Sequence, residues 1–143
     1  MTCTFFGHRE TPDHLDKRLF SVLQDLIQNH GVDHFYVGNQ GNFDSIARRA
    51  LKKLKSIYPW IRFEVVLAYL PQKKDEVETG VNTRYPEGLE NVLKKLAIVY
   101  RNRFMLQQAD VVVTYVTHTV GGAAKFQELA YKQGKIVINL AQT

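Results

Sequence analysis

Three short segments bring glycine together with side chains that can hold an anion. They are Gly7-His8-Arg9-Glu10, Gly38-Asn39-Gln40-Gly41-Asn42-Phe43-Asp44 and Thr117-His118-Thr119-Val120-Gly121-Gly122. A glycine at such a turn lets the backbone approach a ligand closely, and the free amides of a following helix start favour phosphate. The competing reading is that each glycine only makes its turn. Arg9 and Arg101 carry planar guanidinium groups suited to bidentate contact with phosphate, and the alternative for both is a surface cation. Arg101 stands where the helical pattern would otherwise permit an apolar residue, with Asn102 beside it, whereas Arg103 reads as a solvated or structural cation.

The remaining candidates each carry two readings. Asp44 caps a helix or meets a ribose. Thr117 and His118 bond a ligand or cap the last helix. Tyr85, in Thr83-Arg84-Tyr85-Pro86-Glu87-Gly88, stacks a base or packs under Pro86. Lys125 and Glu128 are three apart on one helix and pair with each other, or they face the ligand. His8 and His118 have no third ligand at recognisable spacing, so no metal site is expected. Cys3 reads as a small core residue.

These residues need a scaffold, and short β-rich runs alternating with helical patterns supply one. Thr2-Cys3-Thr4-Phe5-Phe6 is the first strand. Thr11 then caps a helix with Pro12 at its first position, and Leu15, Leu19, Val22, Leu23, Leu26 and Ile27 recur at helical spacing up to Gly31. Phe35-Tyr36-Val37 is a second strand, followed by a helix with Ile46, Ala47, Ala50, Leu51 and Leu54 inward, stopped by Pro59. Ile61 to Tyr69 is the third strand, and residues 70–90 are a long polar stretch of the kind that is functional or mobile. Helical pattern resumes from Leu89 to Gln108, as one helix or two. Val111 to Val116 is nearly continuously apolar, as in a strand buried on both faces. Gly121-Gly122 opens a last helix, Gly134 closes it, and Ile136 to Leu140 is the final strand.

The order β-α-β-α-β-α-β-α-β implies an α/β, Rossmann-like, doubly wound three-layer fold with a parallel sheet of about five strands. Ligands of such sheets bind outside the carboxyl ends of the strands, where strand order reverses, and all three glycine-bearing loops follow strands. Neither standard phosphate fingerprint is present. The absence of Gly-x-x-x-x-Gly-Lys-Ser/Thr counts against a P-loop NTPase. A lone Gly7 in the first turn counts against a dinucleotide dehydrogenase.

The carboxy-terminal pattern, Arg101 before the strand and Gly121-Gly122-Ala123-Ala124-Lys125-Phe126-Gln127-Glu128 after it, resembles the SLOG superfamily. That group includes the LOG phosphoribohydrolases, the DprA/SMF proteins and the YpsA-like proteins. In the LOG proteins the strand leads into Pro-Gly-Gly-x-Gly-Thr-x-x-Glu. Arg101 falls on the arginine of that pattern, Gly121 and Gly122 on the glycine pair, and Glu128 on the glutamate. Val120, Ala124 and Lys125 depart from it. Gly7-His8-Arg9 and Gly38-x-x-Gly41-x-x-Asp44-x-x-Ala47, running on to Tyr58-Pro59, resemble the YpsA-like branch. The resemblance implies a domain that binds nucleotides or nucleotide-derived ligands, often as a homodimer, with an enzymatic role only in some branches.

At 143 residues the chain is expected to be one domain, 1–143. The single cysteine excludes an internal disulfide framework. No apolar run reaches the ~20 residues of a membrane span, and the amino terminus lacks a leader pattern, so a cytoplasmic protein with no membrane partner is expected. Net charge is +5 with pI near 9.4, which favours an anionic partner. The leading expectation is a small phosphorylated nucleoside derivative bound by Gly7, His8, Arg9, Gly38, Gln40, Gly41, Asp44, Tyr85, Arg101, Asn102, Thr117, His118, Gly121, Gly122, Ala123, Lys125 and Glu128, with no cofactor. The first alternative is a phosphoribohydrolase cleaving the N-glycosidic bond of a nucleoside 5′-monophosphate. There Glu128 would act at the anomeric carbon and Arg101 would hold the substrate. The second is a DNA-binding module of DprA-like type, motivated by the charge and by Arg48, Arg49, Lys52, Lys53 and Lys55 along one helix.

Overall fold

A computed structural model describes residues 1–69 and 81–142; residues 70–80 of the expected polar stretch, and Thr143, lie outside the described residues. The strands are β1 (Thr2–Gly7), β2 (His34–Val37), β3 (Arg62–Val66), β4 (Thr83–Arg84), β5 (Val111–Tyr115) and β6 (Ile136–Asn139). The helices are α1 (Asp16–Asn29), α2 (Gly41–Ile57), α3 (Ala97–Gln108) and α4 (Gly122–Lys132). All strands run parallel in the order β4-β3-β2-β1-β5-β6. The chain therefore winds outward from β1 in both directions, and the reversal lies between β1 and β5.

Alternation along the strands builds the three layers. Cys3, Phe5, Phe35, Val37, Val65, Val111 and Val113 face α1 and α2, where Leu19, Leu23, Leu26, Ile46, Leu51 and Leu54 complete the larger core. Phe6, Tyr36, Val66 and Val112 face the other way, onto Met105 and Leu106 of α3 and Phe126 and Ala130 of α4. Phe6 and Phe126 stack with centroids 5.2 Å apart. Both faces of β5 are buried, which explains its unbroken apolar run. Cys3 is fully buried, and burial drives its thiol pKa far up.

Three expected elements differ. Thr11 does not cap a helix: its hydroxyl donates to the His8 carbonyl at 2.5 Å, a 3-10 turn spans Asp13–Leu15, and α1 begins at Asp16. The helix expected from Leu89 is two 3-10 turns, Leu89–Asn91 and Lys94–Leu96, before α3. The sheet has six strands, because the two-residue β4 pairs with Val65 and Val66. Among the described residues no helix is long and apolar enough to cross a membrane.

Candidate functional site

The carboxyl ends of β1 and β5 open into a crevice of about 630 Å³. Its lining includes the predicted Gly7, His8, Arg9, Gln40, Asp44, Arg101, Asn102, Thr117, His118, Gly121, Gly122 and Ala123. The three glycine-bearing loops thus meet on one side of the molecule. The volume lies within the range of small-ligand sites.

Arg101 forms the buried part of this wall. It leaves α3 with 3% of its surface exposed. Its Nε donates to Asn102 Oδ1 at 2.9 Å, and its Nη1 points to the Val66 carbonyl at 3.4 Å and Asn39 Oδ1 at 3.5 Å. Asp44 is an opposite charge close enough to influence it, itself buried and accepting the Gln40 amide at 3.0 Å. Burial pushes the Asp44 carboxyl above its ordinary range, opposed by Arg101, the Gln40 amide and Arg48. Burial lowers the Arg101 pKa from a very high starting value, and Asp44 counters it. A guanidinium has ample margin, so Arg101 stays charged.

Gly38 makes room for this pair. A Cβ there would lie 2.5 Å from Asp44 Oδ2 and 2.7 Å from Arg101 Nη1. Gly38 therefore does not touch the ligand space itself but is the floor under the two charges. Gly41 packs against the backbone of Arg9, and the Asn42 amide donates to the Arg9 carbonyl at 2.9 Å, which ties the first two loops together.

The third loop is positioned from both sides. Asn139, at the end of β6, accepts the Val116 amide at 3.1 Å and donates to the Val116 carbonyl at 3.0 Å. His8 Nε2 accepts the Thr117 amide at 3.0 Å. Gly121 then adopts φ +102°, a conformation that favours glycine, and α4 starts at Gly122 with its first amides free of intrahelical partners. These amides carry the positive end of the helix dipole into the crevice.

Not every predicted residue is here. Glu128 is exposed on the far side of α4 and pairs with Lys132 at 3.2 Å. Lys125 is exposed, with its ammonium 6.0 Å from the Phe126 ring. Tyr85 packs against apolar residues of the core, which favours the packing reading over base stacking. None of the three lines the crevice, and neither Gly38 nor Gly41 does. Conversely, Glu10, Tyr115 and Asn139 contribute without having been singled out. Tyr115 and Asn139 end their strands as polar residues after apolar runs, a signal that marks the carboxyl edge.

The cationic run of α2 is partly occupied. Arg48 donates to the Gly38 carbonyl at 3.0 Å, Arg49 to Ser45 Oγ at 2.8 Å, and Lys55 to the carbonyls of Pro59 (2.7 Å) and Ile61.

No family model and no curated protein matches the chain. Several solved chains are similar in fold, two of them DNA processing proteins. DNA processing protein A (DprA) from Streptococcus pneumoniae matches with TM-score 0.70 and 18% identity over 95% of this chain and 48% of that one. DNA processing protein A from Helicobacter pylori, described in a single-stranded DNA binding mode, matches with TM-score 0.66 and 17% identity over 96% of this chain and 63% of that one. The chain thus spans about half to two-thirds of these proteins. It has the DprA-like, Rossmann-type fold that the SLOG resemblance implied.

Proposed function

We propose that the crevice binds single-stranded nucleic acid, seating one nucleotide with its phosphate against Arg101, Arg9 and the amino end of α4. One observation carries this reading: a buried, charged guanidinium from α3 lines the same crevice as an exposed one from the β1–α1 loop and an open helix start. Desolvating Arg101 is costly, and a site that meets a phosphate returns part of that cost. The net charge of +5 and the likeness in fold to a protein described with single-stranded DNA support the polymeric form of the ligand. The backbone contacts of Arg48 and Lys55 favour the crevice over the α2 face as the footprint.

A free phosphorylated nucleoside is the second reading, favoured by the size of the crevice, which suits one small ligand. The phosphoribohydrolase reading has less support. It asks for a carboxylate at the anomeric carbon, yet Glu128 lies outside the lining and Asp44 is engaged by Arg101 and Gln40. We further propose, on the resemblance of Gly7-His8-Arg9 and Gly38-x-x-Gly41-x-x-Asp44, the YpsA-like branch and a homodimer with it.

The test is a titration of labelled oligodeoxythymidylate with mononucleotides as competitors. Salt-dependent binding of the oligomer that mononucleotides displace weakly supports the first reading. Equal or tighter binding of the mononucleotide supports the second. Binding of neither at low salt overturns both.

A further inference from the structure

Two imidazoles face one another at the crevice, and the phosphate contacts use neither. His8, from the β1–α1 loop, and His118, from the β5–α4 loop, lie ring over ring with centroids 3.9 Å apart and planes 7° apart. They are held very differently. His8 is fixed by the Thr117 amide on Nε2 at 3.0 Å, by the Tyr115 ring edge-on at 6.2 Å, and by its own amide on the Tyr115 carbonyl at 3.3 Å. Because Nε2 accepts, the ring proton sits on Nδ1 and the imidazole is neutral. Partial burial and the neighbouring His118 both hold the His8 pKa below its ordinary value. His118 is exposed and rests on His8 by stacking.

The other aromatic rings of the lining are less available. Phe5 is packed between Phe35 and Phe43, and Phe6 lies on Phe126. Tyr115 is half-buried and meets His8 in a T-shaped contact. His8 is therefore a rigid, neutral π-face in a crevice whose other polar groups include Arg9 and Arg101, the amides of Gln40 and Asn102, and the carboxylates of Glu10 and Asp44. Its cover is a side chain that can swing into solvent.

We infer that His8 is a base-stacking platform, on which the planar heterocycle of a bound nucleotide replaces the His118 ring while its phosphate meets Arg101 and α4. This rests on the nucleotide reading above and adds the ligand class: a phosphate carrying an aromatic base, without selection among bases, since stacking accepts any π-face. His118 closes the platform when no ligand is present.

Two oligomers of equal length separate the base from the phosphate, an oligodeoxythymidylate and its fully abasic analogue. His8→Gln keeps an acceptor for the Thr117 amide but removes the ring, and His118→Ala removes the cover. The expected result is that His8→Gln weakens the base-bearing oligomer about tenfold, in line with the loss of one stacked base. It shifts the abasic oligomer less than about twofold, within the uncertainty of a single contact. His118→Ala leaves the base-bearing oligomer bound at least as tightly as the wild type. Equal losses for both oligomers with His8→Gln, or no loss for either, overturn the platform and leave the phosphate site standing. Equal affinity of the wild type for both oligomers does the same. A wild-type protein that binds neither oligomer takes the nucleic-acid reading down as well.

Discussion

The two edges of the sheet are built in opposite ways. At the amino edge, backbone satisfies backbone: Asp110 N donates to the Thr2 carbonyl at 2.8 Å, Ile136 N to the Asp110 carbonyl at 3.0 Å, and Arg62 N to the Asp33 carbonyl at 2.9 Å. The Asp110 carboxylate adds a bond from Thr2 N at 2.9 Å, and Asp33 N reaches the Met1 carbonyl at 3.1 Å. At the carboxyl edge, backbone bonds such as Asn42 N to the Arg9 carbonyl are outnumbered by side chains that hold the loops: His8 the Thr117 amide, Asp44 the Gln40 amide, Asn139 both groups of Val116, and Arg48 the Gly38 carbonyl. Every backbone polar group needs a partner, and a loop that leaves the ladder early must find one elsewhere. Side chains supply it here without filling the space above the strands, so the crevice stays open. One edge closes the fold, and the other holds a site at a cost in buried charge.

Substitutions at the two edges should therefore differ in kind. The largest effect is expected from Arg101→Met, which strips the buried hydrogen bonds of Arg101 and leaves only Arg48 to offset the burial of Asp44, destabilising the fold on the order of 3 kcal/mol. Adding Asp44→Asn should recover more than half of that in urea denaturation. A double variant as unstable as the single one would show that the two charges do not depend on each other. Gly38→Ala comes next, at about 1–3 kcal/mol, because the new methyl must displace Asp44 or Arg101. The same chemical denaturation measures it, and a neutral result would place the pair elsewhere. At the opposite edge, Asp110→Ala should cost about 0.5–1 kcal/mol for one lost hydrogen bond, with oligonucleotide affinity unchanged. Reduced affinity there would blur the division between the edges.

The smallest expected effect is a dependence on pH. The fold lowers the His8 pKa below 6.5, so it favours the neutral ring; that stability is present above pH 6.5 and declines as the pH falls below it. Glu64 behaves in the same direction lower down. Burial raises its carboxyl, but hydrogen bonds from His34 and Arg84, at 2.8 and 3.1 Å, outweigh it and hold the pKa below 4.5. Its contribution is present above pH 4.5 and is lost as acid protonates it. Melting temperatures across pH should fall in two stages, with His8→Gln removing only the upper one. A single stage in the wild type would contradict the His8 assignment.

Much of the fold was legible in the sequence because periodicity and burial coincide there. The apolar run at Val111–Val113 is buried on both faces, and Ile46, Ala47, Ala50, Leu51 and Leu54 all face the core. β4 was not legible, since Thr83 and Arg84 are exposed and are strand only through their pairing with β3. The 3-10 turns before α3 were also hidden, because Leu93 and Leu96 fit a helical spacing yet are exposed.

The site was legible as three loops but not as a set of contacts. The buried charges of Arg101 on α3 and Asp44 on α2 influence each other across the carboxyl edge, and no local spacing encodes it. Glu128 teaches the reverse. The buried residues of α4 are Ala124, Phe126 and Ala130, and Glu128 with Lys132 falls on the outer face by simple helical geometry. The expected Lys125–Glu128 pair does not form either, because Glu128 finds Lys132 one turn further on.

The most direct test compares the salt dependence of oligodeoxythymidylate binding for the wild type, Arg9→Ala and an Arg49→Ala/Lys53→Ala pair. Arg9 is exposed and lines the crevice, so its loss should cost the phosphate contact without cost to the fold. Arg9→Ala is expected to lower the slope of log K against log salt by about 1 and to weaken binding, while the α2 pair changes both little. Binding that ignores Arg9 and collapses with Arg49 and Lys53 would place the nucleic acid on the helix face and contradict the crevice.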